Sequence, residues 1–70
     1  MRTQERFEII QDASDLIKEI AEDYVDDLSG RCIIDLADVI DNAIMGSMSV
    51  MDLRTMIRRV RVNMIRAWRN

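Results

Sequence analysis

Proline and histidine are absent from this chain of 70 residues, cysteine occurs once and glycine twice. Each shortage excludes something. A single cysteine closes no internal disulfide, and without histidine a tetrahedral zinc site has almost no ligands. The missing histidine is also the side chain that ordinarily moves protons near neutral pH. No glycine-rich phosphate loop is present. No apolar run reaches the roughly 18 residues of a membrane span, and no signal-peptide pattern opens the chain. These absences point to a cytoplasmic protein that is not an enzyme, needs no cofactor or metal, and makes no use of a membrane.

What the chain does have is helical periodicity. Apolar residues make up 49% of it and charged residues 33%. With no proline, Gly30 and Gly46 are the only strong breakers;. They divide the chain into three segments whose apolar residues recur at three and four positions, with no sustained alternation of two. The expectation is one all-α domain over residues 1–70, with helices over roughly 3–28, 31–45 and 50–69.

The first helix would bury Phe7, Ile10, Ile17, Ile20, Ala21, Tyr24 and Leu28, with Ala13 and Leu16 widening the stripe, and Ser29-Gly30 would end it by offering a left-handed residue. The second, apolar over most of its surface, would lie centrally through Ile33, Leu36, Ala37, Ile40, Ala43 and Ile44, with Cys32 and Val39 widening the face. Gly46 to Ser49 reads as a turn. Ser49 followed by Asp52 resembles a capping box with aspartate in place of glutamate. The third helix would bury Leu53, Met56, Ile57, Val60, Met64, Ala67 and Trp68.

Short turns favour antiparallel neighbours, hence a three-helix bundle, or a helical hairpin with an extra helix, completed by dimerisation. The apolar supply favours the second chain. Ile9, Val25, Ile34, Val62 and Ile65 fall at stripe margins or on polar faces, where left-over apolar surface marks contacts. Ile10, Ile17, Ile33, Ile40, Leu53, Ile57 and Val60 are the candidate core or dimer residues.

Charge is segregated along the chain. Residues 1–49 hold four basic and twelve acidic side chains, giving −8, whereas residues 50–70 hold six arginines and only Asp52, giving +5. On the first helix the carboxylates from Glu8 to Asp26 share roughly 100° of arc. They make a solvated face, a docking strip for a basic partner, or an imitation of a phosphate backbone. Within that strip Asp15, Glu19, Glu22 and Asp26 are the candidate partner-binding residues.

All six basic residues of the last helix are arginine, the side chain that forks onto carboxylates and phosphates and stacks on aromatic rings;. Arg58, Arg59, Arg66 and Trp68 make a second candidate contact surface of hot-spot composition. Ion pairing with the acidic helix of the same chain or of a twin is the bland alternative. A helix-turn-helix fits poorly, because Asp52 and Thr55 fall where its second helix should bury apolar residues. Cys32 reads as a small core hydrophobe. Met45, Met48 and Met51 read as adaptable packing at a corner rather than a copper(I) site.

The functional expectation is a small protein-binding regulator or inhibitor, a homodimer that occupies a surface of a larger protein in the manner of a viral accessory protein of the phage type. A nucleic-acid-binding regulator using the arginine helix is the alternative, and a small structural assembly subunit the second.

Overall fold

A computed structural model describes the backbone of residues 2–22 and 27–69, and the side chains of residues 4–22 and 28–66. It contains three helices, α1 (Arg2–Glu22), α2 (Asp27–Met45) and α3 (Val50–Arg69), and no strand among the described residues. All three helices touch one another. The particle measures 39 × 18 × 16 Å. Helices of about 20 residues are roughly 30 Å long, so such dimensions hold them nearly aligned, as in a bundle and unlike the steep crossing of a helix-turn-helix.

The first break falls earlier than glycine placement suggests. Gly30 lies inside the first turn of α2, and only Gly46 has positive φ. Glycine permits the left-handed conformation without compelling it. The helix α2 opens at Asp27 instead. Leu28, expected on the first helix, therefore belongs to α2 and is exposed. Tyr24 and Val25 lie outside the described residues.

The second break follows the sequence closely. Gly46 takes φ 71°, and the amides of Gly46 and Ser47 donate to the Asn42 carbonyl at 3.0 and 3.3 Å. This is the glycine-terminated helix end in which a left-handed residue lets following amides turn back onto the last carbonyls. The Ser47 hydroxyl bonds Asn42 Oδ1 at 2.6 Å, and Asn42 Nδ2 donates to the Asp38 carbonyl at 2.8 Å. Ser49 then caps α3, its Oγ accepting from the Asp52 amide at 3.1 Å;.

The core repeats one spacing three times. The buried residues are Ile9, Ala13, Leu16 and Ile20 on α1, Cys32, Leu36, Val39 and Ala43 on α2, and Leu53, Ile57, Val60 and Met64 on α3. Every set runs four, three, four, the a/d rhythm of a heptad repeat. With Ile9, Cys32 and Leu53 taken as d, every other position follows. The up-down-up order stacks the sets in four layers, from Ile9, Ala43 and Leu53 at the α2–α3 turn to Ile20, Cys32 and Met64 at the far end.

This register shifts the expected stripes. Ile9, expected at a margin, is among the most deeply buried residues, whereas Phe7 and Ala21 are exposed on α1, and Ala37 and Ile44 on α2. The apolar sets of α1 and α2 cover so much of the circumference that their centre is ambiguous. The small Ala13, Cys32 and Ala43 take core positions, each set against two larger side chains in its layer, so that large and small residues together fill the interior;. Ile10, Ile17, Ile33 and Ile40 are half-buried against that core, and Leu53, Ile57 and Val60 lie within it.

Candidate interaction surfaces

The heptad register assigns each flank of each helix to a neighbour. On α1 the g positions are Glu5, Asp12 and Glu19, and the c positions Glu8, Asp15 and Glu22. These six carboxylates form one stripe. On α3 the e positions are Arg54 and Arg61, with Arg58 at a b position beside them. In parallel helices a g flank meets an e flank, so the acidic stripe and the arginine flank face each other across the α1–α3 seam.

The geometry agrees. Arg54 lies 3.9 Å from the Glu8 carboxylate, both side chains more than half exposed. Asp12, Arg54, Ile57, Arg58 and Arg61 line one groove of about 220 Å³ on this seam. Leu16, Glu19, Arg61, Met64 and Ile65 line a second of about 280 Å³. The seam is the thinnest of the three helix contacts. Charged flanks line it, whereas the α1–α2 seam carries the half-buried isoleucines at e positions of both helices and is the most extensive.

The candidate acidic strip therefore divides. Glu19 lines the seam beside Arg61. Asp15 and Glu22 occupy the outer c row, exposed, and Asp15 accepts a hydrogen bond from Gln11 Nε2 at 2.9 Å. Asp26 lies outside the described residues.

The candidate basic surface holds together better. Arg58, Arg59 and Arg66 line a single depression of about 340 Å³ on the outer face of α3, with Thr55, Val62 and Asn63. Trp68 belongs to α3, and its side chain lies outside those described. Ile34, Val62 and Ile65, expected as left-over apolar residues, are exposed.

Sequence reasoning missed one functional-looking end of the molecule. Phe7 is 63% exposed, Ile44 67%, Met45 79% and Met51 77%. All four sit at the end where α1 starts and the α2–α3 turn lies, an end fixed by Arg6, whose guanidinium reaches the Met48 carbonyl. Met48 packs half-buried against the core, so the three methionines of the turn differ in burial and form no common thioether set. The spacing of Phe7 from Ile9, two residues apart and so on different helix faces, showed that one of the two is exposed without showing which.

Cys32 is buried in the top layer. Among the described residues, no cluster of three or more cysteine, aspartate or glutamate side chains is placed to hold a metal ion. No described helix is long and apolar enough to cross a membrane. Comparison with known protein families, with characterised proteins and with solved structures gives no match.

Proposed function

We propose that this chain is a helical binding protein, without catalytic activity, that acts by covering a surface of a larger protein. The observation carrying the reading is the outer face of α3, where Arg58, Arg59 and Arg66 surround the part-exposed Val62. An apolar centre with an arginine rim is the anatomy of a protein contact. The partner presents an acidic, part-apolar surface to this face. The outer row of Asp15 and Glu22 orients the approach by repelling acidic surfaces from the α1 side.

Duplex nucleic acid is the second reading, favoured by the arginines of one helix. Three of them, Arg54, Arg58 and Arg61, face carboxylates of α1. A phosphate backbone approaching α3 would meet that acidic stripe beside it, and the chain as a whole is at −3;. A structural assembly subunit is the third, and light scattering showing large open-ended oligomers would favour it.

The test is affinity capture with mass spectrometry, run beside a low-salt gel shift on duplex DNA. The expected result is a protein retained by the wild-type chain, released when Arg59→Glu and Arg66→Glu are combined, with helicity unchanged. DNA retardation that disappears in the same variant, with no retained protein, replaces this reading with the second.

A further inference from the structure

Among the described residues, two adjoining rows of positions on α1 and α2 carry no charge. The e and b positions of α1 and α2 form the outer surface of their seam. They include Phe7, Ile10 and Ile17 on α1 and Ile33, Ile40 and Ile44 on α2. The remaining positions of this face between Phe7 and Ile44 are Ser14, Ala21, Gly30 and Ala37, so no charged residue appears in a chain that is one-third charged. Phe7 and Ile44 are mostly solvent-exposed there, and Ala21 and Ala37 are also exposed.

We infer that this α1–α2 face is the contact with a second copy of the same chain, related by a twofold axis that crosses the helices at the height of Ser14 and Ala37. Two observations choose a twin over another occupant.

The first is shape. An axis perpendicular to the helices sets α1 antiparallel on its twin and α2 antiparallel on its twin. Phe7 and Ala21 each lie seven residues from Ser14, so Phe7 of one copy falls on Ala21 of the other. Ile44 and Gly30 each lie seven from Ala37, so Ile44 falls on Gly30. The large side chains at the turn end meet the small residues at the far end, and the small Ser14 and Ala37 meet themselves where the helices cross. The layer order places Ser14 and Ala37 within about one residue of the same height, so one axis serves both helices.

The second is area. The chain exposes 5250 Å², whereas a compact protein of 8.2 kDa exposes about 4,500 Å². Between Phe7 and Ala21 the face is about 21 Å long and 18 Å across, a projection of roughly 380 Å² that falls below the ~800 Å² per partner of a standard interface and suits a weak, reversible dimer. Such an isologous contact closes after two copies and leaves the α3 depression outward on both.

This inference gives the dimer of the proposed function its face, and its test needs the purified chain alone. Sedimentation equilibrium over 1–200 µM, on the order of the range for small-domain association, should show a closed dimer. Ala37→Glu places two carboxylates together on the axis and should weaken association at least ~100-fold. Ala37 is exposed, so circular dichroism should be unchanged. Ala21→Lys should weaken association likewise, and Phe7→Glu added to it should restore the dimer, because residue 7 of one copy meets residue 21 of the other.

A wild-type chain that stays monomeric throughout, a dimer indifferent to Ala37→Glu, or a charge swap that fails to restore association would each overturn the arrangement. Loss of partner capture with the dimer intact would overturn the proposed function and leave this face standing.

Discussion

Arg6 donates a hydrogen bond from Nη2 to the carbonyl of Met48, 42 residues away, at 3.0 Å. Its Nη1 lies 3.4 Å from the carbonyl of Ala43 in the last turn of α2. Arg6 occupies the a position one step beyond Ile9, so it closes the bottom of the core where a further hydrophobe would stand. Its charge sits at the negative pole of α2, a helix with no basic residue in its own last turn;.

Arg6→Ala should therefore destabilise the fold by about 1–3 kcal/mol, through two lost charge-assisted bonds and a weakened helix end. Arg6→Lys should recover part of this, since an ammonium keeps the charge and loses the fork. Urea unfolding of the three proteins at a common concentration checks both statements. Equal midpoints for Arg6→Ala and wild type would show that the bonds add nothing.

The two glycines should respond to alanine with opposite signs. Gly46 holds φ 71°, and nothing lies within 4 Å of an added Cβ, so Gly46→Ala meets only backbone strain, about 1–2 kcal/mol. Gly30 is helical, so Gly30→Ala should stabilise the monomer by about 0.5–1 kcal/mol. Thermal melts at concentrations below the association range separate the two. A loss at Gly30 would mean that its backbone does not belong to α2.

Those glycines also show what the sequence could and could not convey. The second turn was legible because Gly46 is joined by Ser47, Ser49 and Asp52, each with a local bonding role that fixes the chain. The first was misplaced because one glycine in a run without proline carries only a permission. The helical content was legible from spacing, and α3 most fully, since its polar positions leave a single apolar arc. On α1 and α2 the apolar arcs were too wide to centre: Ala13, Cys32 and Ala43 were legible within them, but Ile9 was set at the margin and the isoleucines at 10, 17, 33 and 40, which are only half-buried, at the middle. The facing of acidic and arginine flanks was open in sequence, because it depends on which helix neighbours which. Only the register of all three helices together decides it.

The core register makes a sharp contrast between neighbours. Leu36 is fully buried, whereas Ile34, two residues earlier, is 63% exposed. Leu36→Ala should remove about 2–5 kcal/mol through lost transfer energy and the cavity left behind, a large part of the stability of a domain this small. Ile34→Ala should stay within about 0.5 kcal/mol. Chemical denaturation of both variants tests the register directly, and similar losses at the two sites would mean that α2 is rotated from the position described.

The charged seam predicts collective rather than pairwise behaviour. Arg54 and Glu8 are each more than half exposed at 3.9 Å, so a double-mutant cycle between them should give a coupling of about 0–1 kcal/mol that fades with added salt. Reversing one whole flank is another matter. Arg54→Glu with Arg58→Glu and Arg61→Glu would set three new carboxylates against the stripe of Glu8, Asp12 and Glu19, and like charges across a seam repel from several positions together. The triple variant should lose much more stability at low salt than the sum expected from the single pair, and regain most of it in about 1 M salt, where screening reaches about 3 Å. Guanidinium is itself a salt, so urea is the denaturant that keeps this comparison clean. A triple variant as stable as wild type at low ionic strength would mean that the two flanks do not face each other.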